Sequence, residues 1–109
     1  MKAEGIRHSK LLDRKISKVA VLGGSGSFAI EAAQSAGADI FISADFKYHD
    51  FFRAENRIIL ADIGHYESEQ YTKELLHSYL TKKIINFAPA LAEEHIYVSE
   101  INTNPISYL

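Results

Sequence analysis

Apolar positions along the chain fall into two kinds of pattern. Short aliphatic and β-branched runs at Lys18–Leu22, Asp39–Ser43 and Arg57–Ile63 have the length and composition of buried strands. Between and after them, apolar residues recur at helical spacing. Phe28, Ile30, Ala32, Ala33 and Ala36 predict a helix, with Gly37 placed to cap its C-terminus. Phe51, Phe52 and Ala54 predict a shorter one. A stripe of Leu75, Leu76, Tyr79, Leu80 and Ile84 predicts a long helix that opens near His65, with Lys82 and Lys83 late, where cations suit the helix dipole. Ala88-Pro89-Ala90 breaks that pattern, and the alternation from His95 to Glu100 predicts a final strand before a turn at Asn102–Pro105. Residues 1–17 are polar, with Ile6, Leu11 and Leu12 fit only for a short edge strand.

Strand and helix alternating three times predict an α/β fold with crossover connections. The expected architecture is a three-layer sandwich around a mainly parallel sheet, in one domain spanning residues 1–109. The strand-helix units share no sequence, so their recurrence is architectural.

Composition narrows the function classes. At 47% hydrophobic and 24% charged, the chain has the balance of an ordinary soluble globule. A formal net charge of -2 argues against a partner held by phosphate neutralisation, so no nucleic acid is expected. With no cysteine, disulfides, thiolate ligands and cysteine nucleophiles are excluded together. No apolar run is long enough to span a bilayer and the start lacks a signal-peptide core, so no membrane is expected and the cytoplasm is the default.

Three polar loops follow the three predicted strands. In the first, Gly23-Gly24-Ser25-Gly26-Ser27, the backbone amides are a candidate anion cradle at the entrance to a helix. Gly24-x-Gly26-x-x-Ala29, with Asp45 beyond the next strand, also fits the alanine-ending dinucleotide fingerprint, and a tight crossover turn needs the same glycines. The second loop, Asp45 to Asp50, offers Lys47 as an anion ligand and His49 as a proton shuttle near neutral pH. In the third, His65 and Glu69 lie four apart at the start of the long helix, on one face. Imidazole with carboxylate suits zinc, iron or manganese, although acidic residues in a first helical turn also favour the dipole without a metal. In a parallel sheet all three loops share one rim. His8, His77 and His95 are expected to be structural or exposed, and Tyr71 and Tyr79 to line a packing face.

Taken in order, Lys18 to Ser27, Ala44 to Asp50 and Asp62 to Glu69, closed by Val98 to Pro105, resemble the NGG-one-interacting-factor-three-like family. Its members are also called dinuclear-metal-centre proteins or type 2 GTP cyclohydrolase I. The resemblance runs from about Ile6 to Tyr108, nearly the whole chain. It implies two divalent ions in a cleft between two similar α/β lobes, with His65 and Glu69 matching the C-terminal ligands and the glutamate bridging the ions. The remaining ligands, two adjacent histidines and an aspartate, belong to an N-terminal lobe, and this sequence has no adjacent histidine pair.

The resemblance therefore implies the C-terminal lobe of a longer metal-dependent hydrolase, with a missing N-terminal lobe as its partner and self-association into a homo-oligomer. In the intact protein two ions would lower the pKa of a bridging water for a small-molecule or nucleotide substrate. The lobe alone is expected to bind metal weakly and to have little or no activity. A dinucleotide-binding module, sensitive to Gly26 and Asp45, and a non-catalytic interaction scaffold are the alternatives from other classes.

Overall fold

A computed structural model of the chain describes residues 3–92 and 96–109. The chain divides into two units, the first running to Glu69 and including Tyr108–Leu109, the second comprising Gln70–Ser107.

The first unit is α/β. It is built on a four-stranded sheet of β1 (Arg7–His8), β2 (Val19–Ser25), β3 (Ile40–Ala44) and β4 (Ile59–Asp62), in the order β1-β4-β3-β2. β2, β3 and β4 run parallel, and β1 pairs antiparallel with β4 through Arg7↔Asp62 and His8↔Ala61. The sheet is thus mixed, and the edge strand expected in the polar N-terminal segment is only two residues long.

The runs read as buried strands differ in how deeply they lie. β4 is buried throughout and Phe41, Ser43 and Ala44 of β3 are buried. β2 forms the edge, and there Val19 and Val21 are exposed while Ala20 and Leu22 pack against the core. An outermost strand with one covered face keeps its β-branched residues but buries only every second one.

Helix α1 (Ile30–Ser35) covers the core side, entered by a 3-10 turn at Ser27–Ala29 and ended at Gly37, whose amide donates to the Gln34 carbonyl. The crossover from β3 to β4 is a 3-10 helix, Tyr48–Ala54. Ile30, Phe41, Phe46, Ile58 and Leu60 form the dry centre with Ala33, Ala38 and Ala54. Each large aliphatic or aromatic side chain buried here is worth roughly 1.5–3 kcal/mol. The Phe46 ring meets Phe41 and Phe51 at 5.8 Å.

The long helix predicted from His65 onward is two helices. α2 (His65–Glu69) closes the first unit, and α3 (Thr72–Phe87) forms most of the second, followed by α4 (Pro89–Ala92). The predicted stripe lies on α3, but Leu75, Leu76, Tyr79 and Leu80 are exposed, as is Tyr71. The expected packing role of Tyr71 and Tyr79 is therefore not met, and Tyr79 instead carries the Lys83 ammonium 5.5 Å from its ring centre. Of the predicted last strand, residues 96–100 are irregular and His95 lies outside the described residues. Alternation alone does not make a ladder, because a strand also needs a partner to pair with. Among the described residues, no helix is long and apolar enough to cross a membrane.

Candidate metal-binding rim

The C-terminal ends of β2, β3 and β4 meet at one place. β2 sets four steps, Val21 to Ser25, against two of β3, Ile42 to Ala44, so β2 carries a bulge of two extra residues there. The bulge carries Gly24, whose φ of +69° is open to glycine and strained for other residues. A Cβ here would lie 2.5 Å from Glu69 Oε1 and 3.3 Å from His65 Nε2. Close approach of backbone to those two side chains thus requires a glycine.

His65 is the centre of the arrangement. Its Nδ1 is 2.6 Å from Asp45 Oδ2, and its Nε2 is 3.1 Å from Glu69 Oε2. All three side chains are about half exposed, at 51%, 49% and 49%. The hydrogen bond that the ring donates to Asp45, followed by the charges of Asp45 and Glu69, holds the imidazole pKa above its ordinary value against the opposing effect of desolvation. Asp45 reaches His65 from a left-handed backbone conformation, φ 58°, which a short polar side chain tolerates.

Other contacts fix this rim. The Gly24 amide donates to Ser68 Oγ at 2.8 Å, and Ser68 Oγ donates to the His65 carbonyl at 2.8 Å. The Gly24 carbonyl accepts from Ser43 Oγ at 3.0 Å, and the Gly26 amide donates to the Ala44 carbonyl at 3.2 Å. Two amides of the predicted anion cradle are therefore already engaged within the fold; Ser25 and Ser27 flank them, exposed and half-buried. Lys47 is exposed, and its amide donates to Asp50 Oδ2 at 2.8 Å. His49 is also exposed and sits among aromatic rings, 5.2 Å from Tyr48 and 6.3 Å from Phe52. The structure thus brings Gly24, Asp45, His65 and Glu69 together and leaves His49 and Lys47 on the neighbouring 3-10 helix and its entry.

Beneath the rim lies a support that the sequence reading did not single out. Asp62, 5% exposed, accepts from the Arg7 guanidinium, from the Phe46 amide at 3.0 Å and from the Gly64 amide at 3.0 Å. Its three donors join β1, the loop after β3 and the entry to α2. Glu67 is equally buried, and its carboxylate lies over Gly64, where a Cβ would come within 2.1 Å of Oε2. Tyr108 hydrogen-bonds Glu67, and its phenol pKa is raised by desolvation first and by the Glu67 charge second. The available signal was position: Asp62 ends a strand, and Glu67 and Ser68 follow His65 within one helical turn.

The donor set can be tested against a metal. Two donors bound to one ion at about 2.1 Å stand about 3.0–3.4 Å apart, depending on coordination geometry. The 3.1 Å between His65 Nε2 and Glu69 Oε2 fits that range, and it equally fits a hydrogen bond between the two side chains. Among the described residues, no group of three or more histidine or carboxylate side chains is arranged to hold an ion.

Comparison with known proteins gives a consistent answer. Residues 1–105 match the profile of Duf34/NIF3 (NGG1p interacting factor 3). A Staphylococcus epidermidis protein named GTP cyclohydrolase 1 type 2 homolog is 41% identical over 105 residues, covering 94% of this chain and 27% of that protein. A Nostoc protein of the same name is 45% identical over 60 residues, covering 54% of this chain and 23% of that protein. Among solved structures, a Bacillus cereus protein related to NIF3 superimposes with a TM-score of 0.84 at 33% identity, covering 98% of this chain and 29% of that one. A Staphylococcus aureus protein superimposes with a TM-score of 0.82 at 33% identity, covering 98% and 34%. The chain spans about a quarter of the length of the Staphylococcus epidermidis relative.

Proposed function

Because the chain belongs to the Duf34/NIF3 (NGG1p interacting factor 3) family, we propose that it supplies His65 and Glu69 to a divalent-metal centre completed by the rest of a longer protein. The observation that carries this reading is the 3.1 Å approach of Nε2 to Oε2. It occurs at a half-exposed strand-end rim, and Gly24 gives up its side chain to allow it. Zinc, iron and manganese all accept such a pair.

The intact protein is then a metal-dependent hydrolase, in line with the name GTP cyclohydrolase 1 type 2 homolog carried by its relatives. Bound divalent ions would supply an activated water and charge neutralisation. The chain's own part is to hold His65 and Glu69 at a fixed separation and to present polar groups beside them. Lys47 and the loop Gly24-Ser25-Gly26-Ser27 are the groups proposed to meet an anionic small molecule or nucleotide. His49 is the proposed proton carrier. The remaining ligands come from the further lobe, in a cytoplasmic homo-oligomer. A dinucleotide-binding role is less well supported, since the carboxylate a ribose would need is engaged by His65.

The test is metal content. The longer protein should purify with, or take up, about two divalent ions per chain, and His65→Ala or Glu69→Ala should remove at least one. The 109-residue chain should bind zinc chloride only weakly. Unchanged metal content in both variants would overturn the assignment.

A further inference from the structure

The geometry points to Asp45 as the positioning residue of the metal ligand His65: it accepts the Nδ1 proton and so turns the Nε2 lone pair toward Glu69 and the ion. This inference rests on the proposed metal reading and gives Asp45 a role other than a substrate contact.

The argument starts from the two ring nitrogens. A neutral imidazole carries one proton, and the nitrogen that keeps it cannot bind a metal. Left alone, the ring favours the proton on Nε2, the atom that faces Glu69 here. Asp45 Oδ2 stands 2.6 Å from Nδ1, and a carboxylate at that distance accepts but cannot donate. Glu69 Oε2 competes for the proton from 3.1 Å at Nε2, but Asp45 is the closer acceptor and holds it at Nδ1. A cation seated between Nε2 and Oε2 takes the place of any proton there. Histidine ligands are commonly oriented by such an outer carboxylate, and losing it typically costs 10–100-fold in metal affinity.

The backbone is arranged for this contact. Asp45 follows β3 directly and adopts φ 58°, an arrangement that aims its short side chain across to the first residue of α2. On the other side of the ring, the Gly24 bulge leaves room for Glu69. His65 is thus gripped at Nδ1 by one carboxylate and approached at Nε2 by a second. Only the second lies where an ion bound to Nε2 could also be reached.

Nitrogen-detected ring NMR on the 109-residue chain at alkaline pH without zinc reads the tautomer, and a zinc chloride titration to millimolar concentration near pH 7 reads the affinity. Asp45→Gly removes the carboxylate without a penalty for the positive φ, and Asp45→Asn keeps an acceptor at the same place. We expect Nδ1–H in the parent chain and in Asp45→Asn. Asp45→Gly should shift toward Nε2–H and lose roughly tenfold or more in zinc affinity at His65. If Asp45→Gly keeps the parent tautomer, the positioning role is wrong even where zinc still binds at His65. If His65→Ala and Glu69→Ala bind zinc as the parent does, the metal reading itself fails and takes this inference with it. Backbone amide spectra of each variant report folding independently. Should Asp45→Gly unfold, Asp45→Ala is the second readout, with the same shift toward Nε2–H expected and an unchanged tautomer overturning the positioning role.

Discussion

Asp62 and Asp45 stand at neighbouring strand ends and are used in opposite ways. Asp62 is 5% exposed and satisfied by three donors from three parts of the chain. Asp45 is about half exposed, and the ring of His65 is its side-chain partner. A buried carboxylate with a full set of donors holds structure together, because each donor it leaves behind would be stranded away from water. A half-exposed one adds little stability and is free to orient a neighbour. The same residue type therefore anchors the fold at one strand end and holds a histidine ring at the next.

The largest effect should come from beneath the rim. Leu60 is fully buried on the strand that ends at Asp62, and Leu60→Ala should cost about 2–5 kcal/mol of unfolding free energy in urea. Asp62→Ala should follow, at about 1–3 kcal/mol, since the buried Phe46 amide and the Gly64 amide lose their acceptor. Asp45→Asn should cost under about 1 kcal/mol in the same assay. Equal losses for Asp62→Ala and Asp45→Asn would erase the contrast between the two carboxylates. Gly24→Ala should cost about 1–2 kcal/mol through its positive φ. Its stronger signature should be at the site, because a methyl group 2.5 Å from Oε1 must displace Glu69 and with it zinc-induced shifts at His65.

A third carboxylate sharpens the comparison through pH. Asp39, at the start of β3, accepts from the amides of Ser17 and Lys18, with the Ser17 hydroxyl and Arg14 adding to them, and its pKa falls from 3.8 to about 2. A depressed folded-state pKa stabilises above the unfolded value and is lost as pH falls through the folded one. The stability difference between the parent chain and Asp39→Asn should therefore be complete above about pH 5 and shrink toward pH 2, read as converging urea midpoints. The smallest effect should be on α3, where Leu76→Ser should stay within about 0.5 kcal/mol, since Leu76 is 54% exposed.

Much of this arrangement was legible because its signals are local. Three β-branched runs marked the parallel strands, Gly37 marked the end of α1, and the four-residue spacing of His65 and Glu69 marked one helical face. What escaped the sequence depends on which segments become neighbours. Val19 and Val21 look as buried as Ile40 and Ile42 until β2 is known to be the edge. Leu75, Leu76 and Tyr79 show where a helix has an apolar side, and nothing about what covers it. Asp45 reads as a loop acid until the register of β3 on β4, with Ser43 opposite Asp62, sets it beside His65. The separation of 20 positions from Asp45 to His65 hides that contact from any spacing rule.

The bulge in β2 has an implication for how this edge can change over time. Side chains alternate with a period of two, so inserting or deleting residues there in pairs preserves which of them face inward. Trimming the bulge by two would leave the ladder with β3 in step while pulling the backbone away from Glu69. The outermost strand can therefore lengthen or retract its tip without turning itself inside out, and a family could retune the mouth of its site while the sheet stays the same.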